Sequence, residues 1–230
     1  AISGVHSLKE LTLVVLEEVL YEQISGINIQ NLRYLEITGR NLRRVHEGAF
    51  KDVSSSKDLI VRLHGTMVEE LPTGLFTGFS ENTKLSIDLC DNRLNSLNPS
   101  TFYVNASSWE NDGTRILEGG LLLTNNPWPC ECGLVWIGHW LRRWLRETVQ
   151  IHTTPLDVAQ HVVTATREAT CTDPVTNQLI SLVDLYPEDF NCLASALSGA
   201  GSAWKNEISE CLLRTLAVIV LVLAMQRKCQ

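Results

Sequence analysis

The sequence predicts an α/β fold: a solenoid with a curved parallel sheet, irregular or helical return segments, and a helical, disulfide-bonded cap closing its carboxy-terminal end. Three observations predict it. Apolar residues recur at a fixed step of 26 positions, a Cys-x-Cys pair is followed by two later cysteines, and an apolar stripe at helical spacing lies between them.

Self-similarity at a fixed period marks a repeat architecture. Phe50, Phe76 and Phe102 are 26 residues apart, as are Leu42, Val68 and Leu94, and Val45, Leu71 and Leu97. Ile37, Leu63 and Leu89 keep the same step, each preceded at two residues by Leu35, Val61 or Ile87. Each unit therefore reads L-x-L-x-x-N-x-L-x-x-L-x-x-x-x-F, a short strand, a turn and a return segment. Leu8, Leu11 and Leu13 give an earlier strand signature, 24 residues upstream, and Leu121 and Leu123 a last one, 34 residues after Leu89. About five units thus occupy 1–125, with a polar, turn-rich insertion at 103–117 that reads as a surface loop. No single coil buries its own apolar face, so neighbours must stack. The turn asparagine appears only as Asn92 and Asn126, with Leu16, Arg40 and Thr66 at that place elsewhere. The coils nearest the start are expected to be the least regular.

The apolar pattern must be closed at its end, and the next residues are suited to closing it. Trp136, Ile137, Trp140, Leu141, Trp144 and Leu145 recur at i, i+3 and i+4, predicting a helix over 134–147 with His139, Arg142, Arg143 and Arg146 on its other side. Around it lie Cys130-Glu131-Cys132, then Cys171-x-x-Pro174 and Phe190-x-Cys192. Four cysteines allow three connectivities. Zinc is disfavoured, because paired Cys-x-x-Cys or His-x(3–5)-His ligands do not occur.

Together, Leu121-Leu122-Leu123-Thr124-Asn125-Asn126, the run from Pro127 to Cys132, and the two later cysteines resemble the carboxy-terminal cap of extracellular leucine-rich repeat proteins. The resemblance covers about 8–192 and implies a cap at 126–192, with Cys130 paired to Cys171 and Cys132 to Cys192. It also implies an oxidising, extracellular setting, where structural disulfides persist. One departure stands out: the small residue, often glycine, expected after Pro174 is missing from Val175-Thr176-Asn177-Gln178.

The net charge of −7 argues against a nucleic-acid partner, which a basic surface would serve. No His-Glu-x-x-His, Gly-x-Ser-x-Gly or phosphate-binding glycine loop is present, so neither catalysis nor a cofactor or metal is expected. Cys90, just after a core leucine, reads as a lone, partly shielded thiol rather than a reactive one. The chain begins with Ala1, without a visible signal segment, and is expected to be the carboxy-terminal part of a longer protein. Beyond the cap, 193–214 reads as a linker and 215–230 as a short hydrophobic tail. Small residues, a spacer and an apolar end form the lipid-attachment pattern, with Gly201 opening the triplet Gly201-Ser202-Ala203 and Ser198-Gly199-Ala200 as the alternative; a short membrane span with a basic stub is the other reading of this tail. Asn105 is the clear acceptor for an N-linked glycan.

Residues between the core leucines face away from the core. Tyr34, Glu36, Arg62, His64 and Asp88 are the candidate ligand-binding residues on that face, in an extended row of the kind solenoids offer to partners. The plainer alternative is that Glu36, Arg62 and Asp88 neutralise one another as a solvated ladder. The expected function is adhesion or recognition at the cell surface by a non-catalytic, lipid-anchored module with a protein ligand or a homophilic partner. Cap and tail together resemble the chaoptin and connectin type of cell-surface adhesion protein. The alternatives are the ectodomain of a membrane-spanning receptor that signals through a co-receptor, and a secreted binder of glycan or lipid.

Overall fold

The computed structural model of the chain describes residues 8–21, 23–24, 32–51, 53, 55–79, 83–102, 120–147, 156–190 and 192. The chain divides into two compact units, Ala1–Tyr186 and Pro187–Gln230. In the second, the described residues are a 3-10 turn at Pro187–Phe190 and Cys192. The expected insertion at 103–117, with Asn105, and the tail, with Gly201, lie outside the described residues.

The first unit is α/β. Its main sheet contains β1 (Glu10–Val14), β3 (Leu32–Gly39), β5 (Ser55–Thr66), β6 (Lys84–Asp88) and β7 (Leu121–Leu122). The strands lie side by side in chain order, and each neighbouring pair is parallel. Parallel neighbours need a crossover connection, and the return segment of each unit supplies it. Two short strands in those segments, β2 (Val19–Leu20) and β4 (Arg44–Val45), pair as a second small parallel sheet.

The apolar columns of the sequence fall into register. Leu11 pairs with Leu35, Leu35 with Val61, Val61 with Ile87 and Ile87 with Leu121. From Leu35 onward these side chains are buried, as are Ile37, Leu63, Leu89 and Leu123, whereas Leu11 and Leu13 at the β1 edge are only half-buried. Fully burying such a side chain contributes about 1.5–3 kcal/mol, so the first strand is held less firmly than the rest. Behind the sheet, the Phe50 and Phe76 ring centroids are 5.8 Å apart and those of Phe76 and Phe102 are 5.5 Å apart.

The turn asparagines join one unit to the next. Asn92 donates through Nδ2 to the carbonyls of Leu63 (2.7 Å), Leu89 (2.9 Å) and Cys90 (3.2 Å). Its Oδ1 accepts from Thr66 N (3.2 Å) and Thr66 Oγ1 (2.6 Å). Asn126 donates to Leu89, Leu123 and Thr124 carbonyls and accepts from Leu94 N at 3.1 Å. Thr66, where the pattern lacks asparagine, is buried and uses its hydroxyl to receive Val68 N as well. At the corresponding turns Gly65, Asp91 and Asn125 take φ values of 63°, 58° and 57°, the left-handed region that glycine, asparagine and aspartate tolerate best.

The end of the sheet leads into a helical segment. A 3-10 turn at Cys132–Leu134 continues into α1 (Val135–Arg146), as the stripe predicts, and Ile137, Trp140, Leu141 and Trp144 are buried. Trp136 extends the phenylalanine column, with its ring 5.9 Å from that of Phe102 and its Nε1 donating to Leu97 O at 2.9 Å. Arg142 departs from the expected solvent side. It bends back to donate to the carbonyls of Val183 (2.5 Å) and Leu185 (2.9 Å), with its guanidinium 4.1 Å above the Tyr186 ring.

A second helix, α2 (Leu156–Glu168), precedes an antiparallel hairpin of β8 (Thr170–Thr172) and β9 (Leu179–Ser181). Asp173 organises its turn by accepting from Val175 N (2.7 Å) and Thr176 N (3.0 Å), which holds its carboxyl below the usual range. Asn177, at φ 56°, takes the left-handed position where glycine was expected. Cys130 and Cys171 are bonded, as the resemblance implies, beside backbone bonds from Cys130 N to Thr172 O and from Thr172 N to Trp128 O, both 2.9 Å. Cys132 and Cys192 are each disulfide-bonded as well. Among the described residues no helix is long and apolar enough to cross a membrane.

Candidate functional site

Side chains alternate across a strand, so the in-register sheet that buries the leucines sets the intervening residues in rows on its other face. Thr12, Glu36, Arg62, Asp88 and Leu122 are successive partners across all five strands. Tyr34 and His64 belong to the rows on either side, Tyr34 opposite Ile60 and His64 opposite Thr38. The structure therefore brings together all five candidate ligand-binding residues.

Glu36 is the hub. Its Oε2 accepts from Thr12 Oγ1 at 3.1 Å, and its Oε1 from Tyr34 OH at 3.2 Å. His64 Nε2 is 3.0 Å from Oε1, and Arg62 Nη1 is 3.5 Å away. Burial alone would raise the Glu36 pKa. The Thr12 and Tyr34 hydroxyls and the His64 ring outweigh it and hold the carboxyl below its ordinary value. Arg62 bridges to the next strand, with Nε 3.1 Å from Asp88 Oδ2, an ion pair whose angle falls short of a hydrogen bond. Asp88 Oδ1 in turn accepts from Cys90 N at 3.0 Å.

The charges on this face are thus engaged with one another. Side-chain exposure is 19% for Glu36, 15% for Asp88 and 35% for Arg62, so a partner would find these carboxylates largely covered. Because Arg62 itself stays about a third exposed, solvent screens its pairs, and they contribute about 0–1 kcal/mol each. Apolar side chains stand clear around them: Ile60 is 44% exposed and Val14 61%. The face combines a neutralised polar centre with an apolar margin. The alternation that selects Tyr34 and Glu36 also sets Thr12 and Ile60 in the rows of this face; it does not show that Thr12 bonds to Glu36 or that Ile60 and Val14 stand exposed.

Cys90, in the same row as His64, is free and half-buried. Burial pushes its thiol up to about 12; Asp88 adds to this, and the Thr124 hydroxyl 2.9 Å from Sγ partly opposes it. A thiol held in that state is a poor nucleophile. Among the described residues no group of His, Cys, Asp or Glu side chains could hold a metal ion. Comparison with known proteins adds no relative: no family model matches this sequence, and no curated protein is significantly similar to it.

Proposed function

We propose that this chain is the carboxy-terminal part of an extracellular leucine-rich repeat protein, non-catalytic, that recognises a protein partner at the cell surface. In this reading the parallel sheet lines a repeat solenoid, the segment from Trp128 to Cys192 is its cap, and a lipid attached near Gly201 holds the protein at the membrane. Adhesion between cells, homophilic or heterophilic, is the function that best unites these parts. The observation that carries the reading is the unit-to-unit register of the sheet, which turns a 26-residue sequence period into rows of outward side chains on adjacent strands. Solenoids use such extended surfaces for binding, and the exposed apolar margin at Ile60 and Val14 gives a partner area to cover.

The test displays the full-length protein on animal cells with an internal epitope tag. Phosphatidylinositol-specific phospholipase C should release the tag, and the cells should aggregate with one another or with cells bearing the partner. Ile60→Arg should abolish aggregation while leaving surface display and the melting temperature intact. Aggregation unaffected by that change would remove the sheet face as the adhesive surface. Loss of both display and disulfide bonding in the oxidising pathway would remove the extracellular assignment itself.

A further inference from the structure

A second surface lies away from the sheet face, where the return loops of two units meet the start of the cap. A groove of about 740 Å³ runs between the segment around Glu70 to Thr73, the segment Asn95 to Pro99, and Pro129 to Trp136. Its walls are stiff: Pro72, Pro99 and Pro129 line it with the half-buried Trp136, whose indole is pinned by its bond to Leu97 O. Its charge has one sign. Glu70 and Glu131 line it, and among the described residues no lysine, arginine or histidine does.

These two carboxylates differ from those of the sheet face in one respect. Glu36 holds hydroxyl, imidazole and guanidinium partners. Glu70 and Glu131 are exposed, and among the described residues neither carboxylate has a hydrogen-bond or ion-pair partner. A neighbouring depression shares Glu70 but mixes Glu18 and Glu69 with Arg43 and Arg44, so its carboxylates have cations beside them, whereas the described charged residues of the groove at the cap end are acidic.

We propose that this groove docks an extended, basic segment of a partner protein, its lysine or arginine side chains meeting Glu70 and Glu131 while its backbone lies along the proline and tryptophan walls. Rigid grooves lined by aromatic residues suit an extended, polyproline-like backbone, because little conformational freedom is lost on either side. Charge complementarity selects the sign of the occupant. The site goes beyond the sheet-face reading and does not depend on it.

The test uses the full chain and a short fluorescent peptide alternating lysine and proline, followed by anisotropy at low and physiological salt. The peptide should bind the wild-type protein. Glu70→Lys with Glu131→Lys should weaken it by about tenfold or more. Glu17→Lys with Glu47→Lys, which changes net charge equally at exposed positions outside the groove, should leave binding within about twofold. A peptide with glutamine in place of lysine should not bind. Equal losses in the two double variants would reduce the effect to net charge and overturn the proposal, as would equal binding of the glutamine peptide or no binding at all. Displacement of the peptide by neutral glucose oligomers that themselves bind more tightly would give the groove to a sugar stacked on Trp136, and would overturn it too. The four substitutions lie at exposed positions, so matched melting temperatures check that folding is intact.

Discussion

Replacing Asn92 by alanine tests whether the turn amide holds two units together. Asn92 is 5% exposed, and its amide satisfies the Leu63 carbonyl in β5 on one side and the Leu89 and Cys90 carbonyls just after β6 on the other. Its oxygen receives Thr66 N and Thr66 Oγ1. Leu89 O keeps Asn126 Nδ2 and Thr66 Oγ1 keeps Val68 N, but alanine takes the Asn92 bonds from Leu63 O, Cys90 O and Thr66 N, and each stranded buried group costs about 1–3 kcal/mol. Water reaches part of the turn, since Cys90 is half-buried, so the groups near it recover some of that cost. The expected destabilisation is therefore about 3–5 kcal/mol. With a urea slope of about 2 kcal/mol per molar, the unfolding midpoint should fall by about 2 M at unchanged slope. Asn95→Ala, at an exposed position three residues on, should stay within about 0.5 kcal/mol of the wild type. Thr66→Val alone and in combination completes a double-mutant cycle, with a coupling of about 1–2 kcal/mol expected. Asn92→Ala indistinguishable from Asn95→Ala would refute the reasoning, because the amide would then be replaceable by solvent.

Three other outcomes follow from the same geometry. At Gly39 an added Cβ would collide with the Val15 carbonyl oxygen, so Gly39→Ala should cost about 1–3 kcal/mol in thermal or urea unfolding; a neutral effect would mean that β1 yields freely. Cys90 should be alkylated at neutral pH about a thousandfold more slowly than free cysteine, and at the ordinary rate once unfolded in denaturant, because its thiol is pushed up to about 12; fast labelling of the folded protein would contradict its environment. The Glu36 carboxyl is held below its ordinary value of 4.5, so its contribution to stability is present above that pH and is lost as pH falls through the lower folded value. Glu36→Gln should therefore flatten stability against pH below about 4.5, and an unaltered profile would mean that its partners do not discriminate between its protonation states.

The strand register was legible in the sequence because apolar columns and strand rows share one cause, the need to bury alternate side chains between stacked units. Leu35, Val61 and Ile87 pair as their spacing requires. Helix α1 was legible from its period, whereas the Cys130–Cys171 bond came from the resemblance to a known cap, since the four cysteines by themselves leave three connectivities open. Arg142 was not, since helical period gives the direction in which a side chain starts and says nothing of a long guanidinium that folds back to Val183 and Leu185 carbonyls. Helix α2 escaped notice because Val162, Val163, Thr164 and Thr166 are β-branched and weak helix formers, leaving tertiary contacts to Val162 and Thr166 to decide. Asn177 replaces the expected glycine because its short polar side chain also tolerates positive φ. The candidate face was legible in membership and obscure in state: spacing places Glu36 beside Arg62, and only coordinates show how many donors it has gathered.

The asparagine links are unevenly distributed, and this sets an order of failure. Asn92 and Asn126 clamp the later units through short side-chain bonds, whereas the asparagine link described at the earlier turn is Asn41 Nδ2 reaching Leu16 O at 3.4 Å from an exposed position. Strand β1 is also the one whose leucines stay half-buried. Amide hydrogens should accordingly exchange fastest along β1 and slowest toward β6 and β7. Under tension the described strands would part like a zip with uneven teeth, β1 letting go of β3 before β6 lets go of its neighbours, while the segment tied by Cys130 and Cys171 keeps its shape.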